Sequence, residues 1–303
     1  MVIGSNGQDG VYLSSLLREK GYEVTGIGRS GPASIDICDF GAVRDIVRGL
    51  APEEIYHLAA FHHSSEEELP SDHELLAKSL AVNTLSLNHF LHAIHQDAPS
   101  CRLFYAASSR VFGDPAGSPQ NEDTPLNPRC PYGISKTAGI HLCRYYRAEH
   151  KIFCCAGILY NHESPLRPAT FLSRKVARFA ANARKGASEK LTIRSLEARV
   201  DWGYAPDYVA AMWSILQLPE AQDFIIASGS LHSVRDLVAA AFETAELRWE
   251  DYVTEATGSS YERRGALCGD TRKLRRLTGW APRTSFQDMI REMVFAELEG
   301  PTP

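Results

Sequence analysis

The feature that most constrains the fold is a set of three glycines between an apolar strand and a helix at the start of the chain. Met1-Val2-Ile3 is apolar, and leucines at helical spacing follow from Leu13 onward. Gly4, Gly7 and Gly10 lie between them. Glycines in a strand-turn-helix unit let a dinucleotide pyrophosphate approach the backbone at a helix N-terminus. We therefore predict that six turn residues bind a dinucleotide cofactor: Gly4, Asn6, Gly7, Gln8, Asp9 and Gly10.

The following residues alternate between short apolar strands and helical segments. Strands are predicted at four further stretches: 22–30, 54–60, 101–113, whose C-terminal end carries Ser108, and 151–160. This alternation predicts an α/β fold with a doubly wound parallel sheet of the Rossmann type. A chain of 303 residues is long enough for this core and a smaller C-terminal lobe. We predict a cofactor-binding domain and a substrate-binding lobe, the first over 1–160 with 201–229 returning to it, the second over 161–200 and 230–303.

The end of the second predicted strand bears on which dinucleotide binds. An acidic residue there would accept a hydrogen bond from the ribose, whereas Arg29 can pair with a 2′-phosphate. We therefore predict NADP rather than NAD; the alternative is that Arg29 is a solvated loop charge. Further cofactor contacts are predicted beside the adenine and where small residues end the next strand: Asp36, Ile37, Leu58, Ala59 and Ala60.

A tyrosine and a lysine four residues apart supply a possible proton-transfer pair. Tyr132 and Lys136 share one helix face at this spacing. A nearby ammonium favours the phenolate, so the pair predicts a base with a pKa closer to neutrality; the alternative is an ordinary exposed pair. Ser108 ends a predicted strand, at the sheet edge where ligands bind in open α/β folds. We predict these three residues as the catalytic group.

Two adjacent histidines, His62 and His63, follow the third predicted strand. No helix-spaced carboxylate or cysteine completes a metal site with them, so we predict that no metal binds there. We predict instead that they are polar residues flanking a cleft.

Asn83 falls on an apolar stripe of a predicted long helix: Leu76, Leu80, Leu87, Leu91 and Ile94. A buried asparagine needs partners, so we predict that it fixes backbone geometry near the catalytic helix; capping is the alternative.

Composition excludes several classes of partner. The formal net charge of −5 gives no basic field for nucleic acids or anionic membranes. No apolar run reaches the length needed to span a membrane. The seven cysteines are odd in number and scattered, which is typical of a reducing compartment. We therefore predict a cytoplasmic protein.

Four segments together resemble the extended short-chain dehydrogenases/reductases, and more closely the GDP-mannose 4,6-dehydratase family. They are the glycine turn, Tyr132 to Lys136, Gly-Ile-Leu-Tyr-Asn-His-Glu-Ser-Pro at 157–165, and Asp-Trp-Gly-x-Ala-x-Asp-Tyr at 201–208. The resemblance covers essentially the whole chain. It implies a Rossmann domain, a C-terminal lobe that grips a nucleotide-diphosphate sugar, and a GDP-linked substrate.

The resemblance also implies roles for individual residues. Tyr132 takes the proton of the sugar C4 hydroxyl as hydride leaves C4, Lys136 lowers the pKa of Tyr132 and holds the cofactor ribose, and Ser108 hydrogen-bonds O4. Substrate contacts are expected at eight positions: Ser109, Arg110, Asn161, Glu163, Arg174, Lys175, Arg199 and Arg263.

Three departures from the family pattern leave alternatives open. The family's glutamate base two positions after the serine is Arg110 here, and a guanidinium cannot take the C5 proton. The arginine-bearing loop that reaches a neighbouring subunit is replaced by the short 30–33 segment, so we predict a homodimer rather than a tetramer. Nucleotide contacts near 200 and 261–264 are altered, which leaves the base identity open.

We therefore keep three functional hypotheses. The first is a GDP-mannose 4,6-dehydratase-like enzyme in which another residue serves C5, Glu163 being conceivable if it reaches the sugar. The second is a C4 epimerase, oxidase or 4-keto reductase without dehydration. The third is a cofactor-binding sensor or inactive subunit, against which the intact Ser108, Tyr132 and Lys136 argue.

Overall fold

The computed structural model describes residues 1–28, 34–62, 71–256 and 266–300. Its strands, in chain order, are β1 (Val2–Ile3), β2 (Gly26–Ile27), β3 (Glu54–His57), β4 (Arg102–Ser108), β5 (Cys154–Leu159), β6 (Asn161–Glu163), β7 (Leu191–Ile193), β8 (Arg199–Tyr204), β9 (Phe224–Ile226), β10 (Leu231–Ser233) and β11 (Val253–Glu255). Its α-helices are α1 (Gln8–Glu19), α2 (Phe40–Leu50), α3 (Asp72–Leu80), α4 (Ser86–Asp97), α5 (Pro131–Glu149), α6 (Leu172–Arg184), α7 (Ala205–Leu216), α8 (Val234–Thr244), α9 (Arg272–Thr278) and α10 (Phe286–Glu299).

The central sheet contains six parallel strands in the order β2-β1-β3-β4-β5-β9. The chain runs from β1 outward to β2 and then returns to β3 on the other side of β1. The strand order therefore reverses between β1 and β3, which is where open α/β sheets bind ligands. The predicted α/β fold with a doubly wound parallel sheet is confirmed.

Helices cover both faces of this sheet. One hydrophobic cluster joins the sheet to α2, α4 and α5, and a second joins it to α1, α7 and α9. Both faces bury apolar side chains, so the strands are continuously apolar rather than alternating, as expected for a parallel sheet between two helical layers.

A third hydrophobic cluster lies outside the main sheet. It combines α6, α8 and α10 with β7, β8 and β11. Here β8 pairs with β6 and β10, and β11 pairs with β7. The division of the chain into a cofactor domain and a lobe stays a prediction, although β9 does lie in the main sheet beside β5.

Two predicted elements differ from the structure. Only Gly26–Ile27 of the predicted strand 22–30 is a strand. The predicted long helix is interrupted by a π-helical turn at Ala81–Leu85, which separates α3 from α4. A π-helical turn contains one residue more than an α-helical turn, so the buried face of α3, which precedes it, is displaced by one position. Leu75 and Ser79 are buried, whereas Leu76 and Leu80 of the predicted stripe are not.

Asp39 caps α2 by accepting hydrogen bonds from Gly41 N and Ala42 N, at 2.8 and 3.4 Å.

Across the described ranges, no helix is long and apolar enough to cross a membrane.

Candidate active site

The glycine turn joins β1 to α1 at the point where the strand order reverses. Gly4 has φ of +87°, and a Cβ there would lie 2.8 Å from Ala59 N. A Cβ on Gly10 would lie 2.3 Å from the Gly4 carbonyl oxygen. Both positions therefore exclude any side chain. Gly7 is exposed and is the N-cap of α1, where glycine leaves the first amides of the helix without a side-chain cap. This bare, positive helix end fits a dinucleotide pyrophosphate.

Two residues of the turn have partners in the segment after β5. The Gln8 side-chain amide donates to the His162 carbonyl at 3.1 Å and accepts from Ser164 Oγ at 2.8 Å. Asp9 pairs with His162 Nε2 at 2.9 Å. The sequence assigned Gln8 and Asp9 to the cofactor, whereas in the structure these hydrogen bonds link the turn to the 162–164 segment. That long-range link was not predicted.

The largely buried Asp9–His162 pair shifts the pKa values of both partners. Burial alone would raise the pKa of Asp9, but the charge and hydrogen bonds of His162 bring it below its ordinary value. Burial alone would lower the pKa of His162, and the Asp9 carboxylate outweighs it, so that pKa lies above its ordinary value. Each group therefore favours the charged form of the other.

The other predicted cofactor residues lie on the segments 58–60 and 36–37 and at Arg29. Leu58, Ala59 and Ala60 follow β3, and Leu58 N donates to the Ile3 carbonyl at 2.9 Å, which brings this segment against the glycines. Asp36 is exposed and accepts from Cys38 N at 2.9 Å, while Ile37 packs against the core just before α2. Arg29 lies outside the described residues.

Ser108 and Tyr132 meet at the carboxyl end of β4. Ser108 ends the strand, and its hydroxyl accepts from Arg110 N at 3.3 Å and hydrogen-bonds the Tyr132 phenol. Burial raises the pKa of Tyr132 to about 12, against the charge of Arg167 and the hydrogen bond from Ser108, which both lower it. The structure therefore gives Tyr132 a raised pKa, not the pKa closer to neutrality that the spacing suggested.

Lys136 lies beneath this pair and is 1% exposed. Its Nζ donates to the Ala106 carbonyl at 2.6 Å and lies 5.7 Å from the centre of the Tyr132 ring. Burial lowers the pKa of Lys136 to about 7. With a pKa this low, the lysine carries less than a full charge at neutral pH. The cation that lowers the pKa of Tyr132 is instead Arg167, a residue that the sequence did not single out.

Asn83, in the π-helical turn, holds the start of α5 in place through hydrogen bonds. Asn83 is fully buried, and its Nδ2 donates to Ser135 Oγ at 3.0 Å and to the Phe61 carbonyl at 3.1 Å. Its backbone carbonyl accepts from Tyr105 Oη at 2.8 Å. Ser135 Oγ in turn donates to the Tyr132 carbonyl at 2.8 Å. The predicted partners of a buried Asn83 are present, and they tie the catalytic helix to the end of β3.

His62 follows that end of β3 and contacts the catalytic tyrosine. Its ring meets Tyr132 edge-on, with centroids 4.8 Å apart and planes at 82°. It also stacks on Phe171, with centroids 5.4 Å apart. The Arg167 guanidinium covers Phe171 at 3.7 Å. These four side chains form a continuous stack that ends on Tyr132.

Three of the predicted substrate residues lie close to this group. Ser109 is buried in the 3₁₀ turn after β4, and Arg110 in the same turn is exposed. Glu163 is only 3% exposed; it accepts from Ser173 Oγ at 2.5 Å and pairs with Arg167 at 3.1 Å. The Glu163 carboxylate is thus held by Ser173 and Arg167, and its role toward the sugar stays a prediction.

The remaining predicted substrate residues are more dispersed. Asn161 is exposed in β6. Arg174 pairs with Glu297 of α10. Lys175 lines a cavity of about 350 Å³ together with Arg178. Arg199 is exposed on β8, and Arg263 lies outside the described residues.

The chain is similar to known proteins over nearly its whole length. The family model described as GDP-mannose 4,6 dehydratase matches residues 32–293. The chain belongs to the GDP-mannose 4,6-dehydratase family. GDP-mannose 4,6 dehydratase 2 of Caenorhabditis elegans is 34% identical over 341 residues, which cover 98% of this chain and 88% of the relative. The human GDP-mannose 4,6 dehydratase is 32% identical, covering 99% of this chain and 91% of the relative.

Solved structures of the same fold bind both nicotinamide dinucleotides. The Pseudomonas aeruginosa protein RMD complexed with NADPH has a TM-score of 0.86 at 21% identity and covers 98% of each chain. The Thermus thermophilus UDP-glucose 4-epimerase in complex with NAD has a TM-score of 0.83 at 22% identity, covering 99% of each chain. At these identities the likeness shows the fold. Family membership confirms the predicted enzyme of the nucleotide-sugar dehydratase and epimerase kind.

Proposed function

We propose that this chain is an NADP-dependent GDP-mannose 4,6-dehydratase that begins by oxidising the sugar at C4. The observation that carries the proposal is the meeting of Ser108, Tyr132 and Lys136 at the carboxyl end of the sheet, beside the glycine turn. Family membership supports the substrate class.

In this proposal each side chain has one task. Ser108 hydrogen-bonds the C4 oxygen, and Tyr132 removes its proton. Bound NADP would supply the hydride acceptor, held by the glycine turn at the N-terminus of α1. Lys136 lies next to Tyr132, so its charge favours the phenolate whenever it is protonated. Arg167 adds a second positive charge that favours the same form.

The preference for NADP rests on Arg29. A 2′-phosphate is dianionic near neutral pH and pairs well with a guanidinium, whereas NAD offers only hydroxyl groups there. We expect Arg29→Glu to raise the KM for NADP strongly and to change the KM for NAD little. Equal KM values for both cofactors in the wild type would contradict this preference.

The GDP end of the substrate is proposed to lie along α6. Lys175 and Arg178 line the same cavity, and both carry a positive charge suited to a diphosphate. Lys175→Ala should raise the KM for GDP-mannose and leave the affinity for NADP unchanged, as measured by calorimetry.

We also propose that the chain is a homodimer. Leu85, Ile134 and Tyr145 are 52%, 43% and 53% exposed on neighbouring helical segments, and such side chains together favour burial against a second copy. Light scattering coupled to size exclusion tests this. Ile134→Glu should give monomers, whereas Phe295→Glu, at an exposed site on α10, should not. The cytoplasmic location stays a prediction.

A second candidate function follows from Arg110. Because this exposed arginine cannot accept the C5 proton and Glu163 is bound by Arg167, the enzyme would stop at C4 chemistry unless another base is present. It would then be a C4 epimerase, oxidase or 4-keto reductase.

Mass spectrometry of the product distinguishes the two functions. The purified enzyme is incubated with GDP-mannose and other nucleotide sugars, with NADP and with NAD. A loss of about 18 mass units, one water, indicates the dehydration that needs a second proton-transfer group. An isomer of unchanged mass, or an oxidised sugar with reduced cofactor, would contradict the dehydratase proposal.

A further inference from the structure

The position of His62 bears on the base that the family pattern leaves missing. C5 of the sugar is bonded to C4, so a group that serves C5 must lie next to the group that serves the C4 hydroxyl. The His62 ring packs against the Tyr132 ring in a T-shaped arrangement, at a centroid distance of 4.8 Å. His62 is an exposed residue, so its imidazole is not buried in the core.

The backbone next to His62 is held by the same residue that holds the catalytic helix. Phe61 N donates to Asn83 Oδ1 at 2.8 Å, and Asn83 Nδ2 donates to both the Phe61 carbonyl and Ser135 Oγ. His62 and Tyr132 are thus positioned from one buried side chain. Phe171 supports the His62 ring from a second side, with the ring planes at 29°.

Arg110 and Glu163 are less suited than His62 to serve C5. A guanidinium such as that of Arg110 stays protonated in proteins, so it cannot take a proton. Glu163 is buried and bound by Ser173 and Arg167. An imidazole ordinarily titrates near neutral pH, so it can take a proton in one step and return it in the next.

We propose that His62 is the second proton-transfer residue, serving C5 and C6 of the sugar after oxidation at C4. This inference rests on the proposed dehydratase function.

The proposed step is balanced as follows. A neutral imidazole nitrogen removes the C5 proton, and the electron pair moves onto the C4 oxygen, where Ser108 and Tyr132 donate hydrogen bonds to the enolate. The enolate then collapses, the C5–C6 double bond forms, and the C6–O bond breaks. The imidazolium gives its proton to the departing hydroxyl, which leaves as water. The hydride removed at C4 returns to C6 and a solvent-derived proton returns to C5, so the reaction consumes no external oxidant or reductant.

The first test isolates proton transfer from hydride transfer. A 4-keto-6-deoxy nucleotide sugar is supplied in D₂O, and the loss of its C5 proton signal is followed by NMR. This exchange needs only a base and stabilisation of the C4 oxygen. His62→Phe keeps an aromatic ring against Tyr132 but cannot move a proton, and His62→Gln keeps a polar group. We expect exchange to fall by about 100-fold or more in both variants. His73→Phe, at an exposed position on α3, is the matched control and should exchange like the wild type.

The second test separates a catalytic role from a structural one. Calorimetry should give wild-type affinity for GDP-mannose in His62→Phe, and a single turnover should still produce the absorbance of reduced cofactor while the 6-deoxy product fails to form. Wild-type exchange in His62→Phe, or equal loss of C4 oxidation and dehydration, would overturn the role of His62 alone. A wild type that oxidises C4 without losing water would overturn both the dehydratase proposal and this inference.

Discussion

The burial of Lys136 makes a prediction that can be worked through quantitatively. Its pKa is lowered from 10.5 to about 7 because the ammonium is removed from water. Between these two values the unfolded chain binds one more proton at this position than the folded chain. Stability must therefore rise with pH in this window, by about 1.4 kcal/mol per pH unit. The full window corresponds to about 5 kcal/mol.

The perturbation is Lys136→Met, which keeps the side-chain length and removes the titrating group. The free energy of unfolding of wild type and variant is measured without ligands, since cofactor would stabilise the folded state by mass action. Urea denaturation at pH 7, 8 and 9 is suitable. Because Lys136 is already about half deprotonated at pH 7 in the folded state, the wild type should gain about 2 kcal/mol relative to Lys136→Met between pH 7 and pH 9. Titration of all other groups cancels in this difference.

The control is the same substitution at Lys190, which is exposed. We expect its stability to run parallel to the wild type over the whole pH range. Parallel curves for Lys136→Met as well would refute the reasoning, because they would mean that Lys136 stays charged in the folded protein. In that case the hydrogen bond to Ala106 would outweigh the cost of burial. Lys136 would then supply a full charge to Tyr132 at neutral pH.

Further predictions concern the site and its ion pairs. Tyr132→Phe should abolish C4 oxidation while leaving NADP binding unchanged in calorimetry; undiminished turnover would exclude Tyr132 as the base. Arg110→Glu should increase the rate of loss of water from GDP-mannose if this position limits dehydration, as measured by mass spectrometry of the product. Arg167→Gln removes a charge that lowers the pKa of Tyr132, so the rise of kcat/KM with pH should move to higher pH; an unmoved profile would contradict the coupling. His162→Asn leaves the largely buried Asp9 without its charged partner, with only the Gln8 amide donating to it, and should cost about 3 kcal/mol in denaturation experiments. The pKa of His162 is raised and that of Asp9 is lowered, so this loss of stability should be largest between about pH 4 and pH 6.5. The loss should decline above that window, where His162 deprotonates, and below it, where Asp9 becomes protonated.

Much of the architecture was predictable from local patterns. Gly4, Gly7 and Gly10 indicated the strand-turn-helix unit, because only backbone without side chains fits the close approach found at Gly4 and Gly10. The apolar strands indicated the parallel sheet. Ser108, Tyr132 and Lys136 were brought together as expected, since parallel strands deliver their carboxyl ends to one edge.

Other features depended on contacts between distant parts of the chain. The register of α3 was wrong by one residue because the π-helical turn at Ala81–Leu85 changes the helical period, and no propensity signals it. The Asp9–His162 pair joins residues 153 positions apart. Glu163 looked available for the sugar, yet Ser173 and Arg167 bind it.

By itself, therefore, the sequence determined the fold class, the family and the chemical types at the site, because these follow from short-range spacing and side-chain identity. Only the tertiary structure decided the electrostatics. Spacing suggested that Lys136 would lower the pKa of Tyr132 towards neutrality, but burial raises that pKa and lowers the pKa of Lys136. The tertiary structure also brought His62 and Arg167 into one stack with Tyr132. Desolvation and stacking depend on everything packed around a group, and that environment exists only once the chain has folded.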